Sequence, residues 1–185
     1  MKSSITIGMV CTGDSGHLYP TLSLAIELRR RGYKVIFYQN EDGRKKIEKY
    51  GFMCTVYGTD KFPEGVWDSY QRELSKLKGF RANLYAGLVN AERVLVALRD
   101  LPELIKNDGV SFLIVDQVSL EAVAVAELLK IPHMTLMSCI PMQASPSLPP
   151  FYSGLIYGTS PSHLERFSIK YNEQRIGFMA QLSPV

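Results

Sequence analysis

Cysteine is scarce. The 185 residues hold three, Cys11, Cys54 and Cys139, an odd number with no Cys-x-x-Cys pair. That excludes a disulfide framework and a cysteine-built zinc site and fits a reducing compartment. Charge of one sign is also missing: 21 Lys and Arg stand against 18 Asp and Glu, a net +3, too little and too evenly spread for a nucleic-acid partner. No apolar run reaches the roughly 18 residues that span a bilayer. The longest candidate, Val118 to Met142, is broken by Glu121, Glu127, Lys130 and two prolines. There is no signal-peptide pattern, so the expected location is cytoplasmic. With 46% hydrophobic residues, 14 Gly and 10 Pro, the chain is neither disordered nor fibrous, and its length suits one domain, residues 1–185.

What is present is an alternation of short apolar runs and helical patterns. Ile5 to Cys11 reads as a buried strand. After the loop Thr12 to Gly16, Leu18 to Arg31 reads as a helix closed by Gly32. Arg29, Arg30 and Arg31 fill its last turn, where cations oppose the helix dipole. Tyr33–Gln39 is a second strand, Asp42–Tyr50 a short polar helix and Phe52–Tyr57 a third strand. Gly58 to Gly79 is expected to be irregular. Phe80, Leu84, Leu88, Ala91, Leu95 and Leu98 recur at helical spacing and predict one apolar stripe facing the core. Asp100 and Pro102 predict a break and a further short helix. Ser111–Asp116 is the fourth strand, Leu120–Leu129 a helix and His133–Ser138 the fifth strand. A proline-rich loop from Pro141 to Pro161 follows, and Ser162-x-x-Glu165 opens a last helix. The order implies a Rossmann-like α/β layer, a parallel sheet flanked by helices and ordered 3-2-1-4-5.

In such a sheet, ligands bind beyond the carboxyl ends of the strands where the winding reverses, between strands 1 and 4. His17, at the start of the first helix, and Asp116, at the end of strand 4, map to that crevice from separate parts of the chain. A helix N-terminus favours the neutral imidazole. A carboxylate on the other ring nitrogen fixes the tautomer and stabilises the cation once it forms. Together they make a general base; a capping histidine and a strand-end aspartate are the plain alternative. The loop TGDSGHLY also resembles the TGxxGxxG of extended short-chain dehydrogenases, an NAD(P)-binding Rossmann reading. Tyr19 stands where that motif has its third glycine, and the one Tyr-x-x-x-Lys match, Tyr57 to Lys61, falls too early. There is no P-loop lysine, no Asp-x-Asp pair, and no metal-ligand spacing among His17, His133 and His163, so no metal is expected.

GHLYPTLSLAIELRRRGYKVIFYQ (Gly16 to Gln39) resembles the opening of family 1, UDP-glycosyltransferase-like enzymes of the GT-B fold, with Tyr33 in place of a second histidine. IVDQVSLEAVAVAELLKIPHMTLMSCIP (Ile114 to Pro141) resembles their aspartate segment. GFMCTVYGTDKFPEG and LPPFYSGLIYGTSPSHLERF resemble the bacterial zeaxanthin glucosyltransferase branch. The resemblance implies an N-terminal acceptor-binding domain of an inverting, metal-independent enzyme. His17 matches the base and Asp116 the residue that orients it. The resemblance also implies a UDP-sugar co-substrate, bound mainly by a C-terminal domain whose motif this chain lacks, and no further cofactor. The isolated chain is then expected to be inactive, a truncated piece that needs its own C-terminal domain or a separate donor-binding chain. A non-catalytic scaffold that kept the fold is the remaining alternative.

Residues near the carboxyl edge of the sheet should line the acceptor pocket. The candidates are Phe62, Trp67, Phe80, Tyr85, Ile140 and Met142, soft or aromatic side chains suited to a small lipophilic molecule with a hydroxyl. Ser138 and Gln117 are candidates to bond that hydroxyl or to satisfy backbone. A membrane-borne acceptor would bring the protein at most peripherally to the inner face of a membrane.

Overall fold

The computed structural model describes residues 5–139. Five parallel strands, β1 (Thr6–Val10), β2 (Lys34–Gln39), β3 (Met53–Val56), β4 (Phe112–Asp116) and β5 (His133–Leu136), form one sheet in the order β3-β2-β1-β4-β5, as the alternation predicts. Between them run α1 (Ser15–Arg30), α2 (Glu41–Glu48), α3 (Val66–Lys76), α4 (Gly79–Asn107) and α5 (Leu120–Leu129). β1 is central. Val10 pairs with Tyr38 on one side and Val115 on the other, so the chain leaves β1 and β4 at the same edge of the sheet.

Both faces of β1 are covered, which is why its five residues are all buried. Ile7, Met9 and Phe37 point into one core with Leu18, Leu22 and Ala25 of α1. Val10, Ile36 and Tyr38 point into the other with Val96, Ala97, Leu101 and Ile105 of α4 and Val125 of α5. α1 ends in a Schellman motif: Tyr33 N–H bonds Leu28 O and Gly32 N–H bonds Arg29 O, with Gly32 at φ +89°. The arginine run is structural. Arg30 and Arg31 share the Glu27 carboxylate, while Arg29 donates to the carbonyls of Tyr50 and Gly51 and lies 4.1 Å over the Phe52 ring.

Three expectations are corrected. The segment Gly58–Gly79 is not irregular throughout, because α3 lies within it. No residue of α3 offers a local side-chain cap; instead the Asp42 carboxylate, more than twenty positions upstream, accepts the N–H groups of Gly65 and Trp67. Asp100 and Pro102 do not break the long helix. Asp100 accepts the Gly58 N–H, and its carboxyl is held below the ordinary carboxylate range by the hydrogen-bonded Arg99 guanidinium. The helix runs on through Pro102 because Leu101 and Ile105 are wholly buried on either side of it. The apolar stripe, finally, is not the core face. Leu84, Leu88 and Leu95 are 50%, 62% and 69% exposed among the described residues. The buried positions are Arg93, Val96, Ala97, Leu101 and Ile105, also at helical spacing but rotated away. The Pro141–Pro161 loop and the Ser162 capping box lie outside the described residues.

Gly58 is the glycine that the fold most needs. Its φ is +69°, and a Cβ there would meet Val96 Cγ1 at 2.6 Å, so side chains are excluded by conformation and by contact alike.

Candidate active site

β1 delivers the chain to the loop Cys11–Asp14, and α1 then starts so that His17 lies in its first turn, its N–H on the Asp14 carbonyl at 3.0 Å. β4 ends on Asp116. Because β1 and β4 are neighbours, the two side chains meet. His17 Nδ1 lies 3.0 Å from Asp116 Oδ1 and 2.9 Å from Oδ2. Asp116 is 1% exposed, while the His17 side chain keeps 21% of its surface open. A carboxylate can only accept, so the shared proton belongs on Nδ1. In the neutral ring, Nε2 then carries the lone pair and is the nitrogen free to take a proton from outside. Asp116 also accepts the Val118 N–H on Oδ1 at 3.0 Å and the Ser138 hydroxyl on Oδ2 at 2.9 Å. Ser138, a candidate for substrate contact, thus spends its proton on the carboxylate.

A second group of side chains stands along the same edge of the sheet. Trp67 on α3 donates its indole N–H to Asp14 Oδ1 at 2.9 Å. Its ring lies 4.8 Å from Tyr70, and Tyr70 stacks on Tyr85 of α4 at 5.5 Å. Two of the six acceptor candidates, Trp67 and Tyr85, are therefore joined through Tyr70 into one aromatic row. Phe62 is elsewhere: it is 6% exposed and sits in the core with Val96 and Leu101. The Phe80 side chain and residues Ile140 and Met142 lie outside the described part.

The sequence reading missed Arg93 and Glu121. Arg93 is buried on α4, its guanidinium 5.6 Å from the Trp67 ring and hydrogen-bonded to the buried Glu121 at the start of α5. The spacing carries part of the signal, a charge in register with Val96, Ala97 and Leu101, but that register is known as the buried one only from the packing. A narrow cleft is bounded by Thr12, Gly13, Gln39, Asn40, Trp67 and Arg93. It encloses about 20 Å³, room for one water-sized group. Beneath the site the Cys11 thiol is pushed up to about 12 by burial, which keeps it protonated and inert.

No group of His, Cys, Asp and Glu among the described residues is arranged to hold a metal, and none of the described helices is long and apolar enough to cross a membrane. The dehydrogenase reading lacks its dyad: Tyr57 is buried in the core and Lys61 pairs with Glu92.

The sheet order and the pairing across it define a class, a Rossmann-like parallel α/β layer with a histidine–aspartate pair at its switch point. Solved structures share the fold. CalG4, the calicheamicin glycosyltransferase, matches with a TM-score of 0.54 and 21% identity over 74% of this chain and 33% of its own. SsfS6 of Streptomyces sp. SF2575, complexed with thymidine diphosphate, matches with 0.53 and 15% over 72% and 38%. Among curated proteins the chain is similar to the zeaxanthin glucosyltransferase of Pantoea ananas, 29% identical over 154 residues, which is 82% of this chain and 35% of the relative. No family model matches. The relative and these structural neighbours are all glycosyltransferases, and what the solved structures share with this chain is the α/β fold. The chain spans about a third of the length of the proteins it matches.

Proposed function

We propose that this domain is the acceptor-binding part of an inverting, metal-independent glycosyltransferase. His17 Nε2 takes the proton of an acceptor hydroxyl as its oxygen forms a bond to the anomeric carbon of a nucleoside-diphosphate sugar. The bond from that carbon to the diphosphate oxygen breaks on the opposite face, and the diphosphate leaves with the electron pair. Asp116 holds the ring by Nδ1 and balances the imidazolium that results. The observation that carries this reading is the contact of His17 Nδ1 with both Asp116 oxygens, at 3.0 and 2.9 Å.

The zeaxanthin glucosyltransferase relative supports a lipophilic alcohol as acceptor and glucose as the sugar. The thymidine diphosphate bound by SsfS6 supports a nucleoside-diphosphate donor, in our reading a UDP-sugar. A large acceptor lies along the rim beside the Trp67–Tyr70–Tyr85 row, since the cleft behind it holds only a water-sized group. The donor is held mainly by a second domain, from the same protein or a separate chain. The setting is cytoplasmic, with the acceptor drawn from the inner face of a membrane.

The test uses UDP-glucose with zeaxanthin. The 185-residue chain alone is expected to give no glucoside. Fused to the donor-binding part of the Pantoea ananas relative it should give product, and His17→Ala should lower that rate by about 10²–10⁴-fold while acceptor binding is kept. Turnover by the chain alone would refute the division of labour. An unimpaired His17→Ala fusion would remove the base.

A further inference from the structure

Ser138 has a task of its own in this site. Asp116 has two oxygens equidistant from His17 Nδ1 to within 0.1 Å, as the 3.0 and 2.9 Å separations give. That symmetry needs a cause, because a carboxylate with one tether can swing about it. Val118 N–H holds Oδ1 at 3.0 Å and the Ser138 hydroxyl holds Oδ2 at 2.9 Å. The first tether is backbone and survives any side-chain change other than to proline. The second is a side chain just beyond β5, 22 positions downstream.

We propose that Ser138 is a positioning residue: its hydroxyl pins Asp116 Oδ2 so that the carboxylate stands square to the His17 ring, keeping the proton on Nδ1 and Nε2 aimed outward. The inference rests on the base reading above. Ser138 acts through Asp116 alone, so it contributes to the orientation of His17 rather than to substrate contact. Without it the carboxylate pivots about Oδ1, the Nδ1–H bond loosens and the ring samples other rotamers. Threonine keeps the donor; alanine removes it with little change of volume.

The test uses the whole 185-residue chain labelled with ¹⁵N at histidine. In the wild type, His17 should show the Nδ1–H tautomer with a slowly exchanging ring proton. Ser138→Ala should speed exchange of that proton about tenfold, the scale of one hydrogen bond to a charged acceptor, and Ser138→Thr should restore it. The exposed ring of His133 should not change in either variant. If the alanine variant does not fold, Ser138→Cys takes its place; its weak S–H donor should give an intermediate exchange rate. An unchanged His17 signal in Ser138→Ala or Ser138→Cys, alongside its loss in Asp116→Asn, overturns the role of Ser138 and leaves the base reading standing. A wild-type proton on Nε2 overturns the base reading itself.

Discussion

Asp116 is buried and hydrogen-bonded on both oxygens, while the His17 side chain keeps 21% of its surface open to solvent. That asymmetry suits a proton acceptor. The inner partner is fixed by three neighbours, while the outer one is, in the proposed function, the group that meets the substrate. The pair was legible in the sequence because each residue is tied to the end of a strand, and the order of a doubly wound sheet makes those ends adjacent. Ser138 was legible as a candidate for the acceptor hydroxyl but not as a partner of Asp116, and Arg93 was not legible as a partner of Glu121 and Trp67. Their contacts depend on how far a strand end and a helix are turned about their axes, which spacing alone does not fix. At the same scale the cysteines give a prediction with a sign. Burial pushes the Cys11 and Cys54 thiols up to about 12, from roughly 8.5 when unfolded. Folding favours the neutral thiol, so this contribution to stability is complete below the unfolded value and is lost as pH rises from there towards about 12. Urea midpoints should fall between pH 8 and 10. Iodoacetamide on the native chain at pH 8 should modify the exposed Cys139 ahead of Cys11 and Cys54.

Among the elements, α4 separates pattern from packing. Its sequence carries two helical stripes, and periodicity cannot say which one meets the sheet. The answer follows from Val96, Ala97, Leu101 and Ile105, which interlock with β1, β2 and β4 in one core. Truncating Leu101 to Ala should therefore cost about 2–5 kcal/mol in urea unfolding, whereas Leu88→Ala, on the exposed stripe, should stay within about 0.5 kcal/mol. Equal losses would mean that the helix is rotated from the orientation described. α3 shows another limit of local reading. Its start is fixed by Asp42 from α2, so the signal for the helix sits outside the helix. The sheet strands and α5, by contrast, are bounded by their own composition, and α5 runs over Leu120–Leu129 as the sequence predicts.

At the scale of the whole molecule, the layer order, both cores and the edge that carries the site follow from one fact: β1 lies between β2 and β4. The same fact sets a schedule. β1 leaves the ribosome before both of its neighbours, and one of them, β4, lies about a hundred residues further on, as the 99 positions between His17 and Asp116 measure. At about 5–20 residues per second β1 waits on the order of ten seconds for β4, with one edge unpaired. Closing so long a loop is slow. The early β1–β2 pair must therefore stay soluble unaided or be shielded by a chaperone, and the His17–Asp116 contact can form only after β4 has been made.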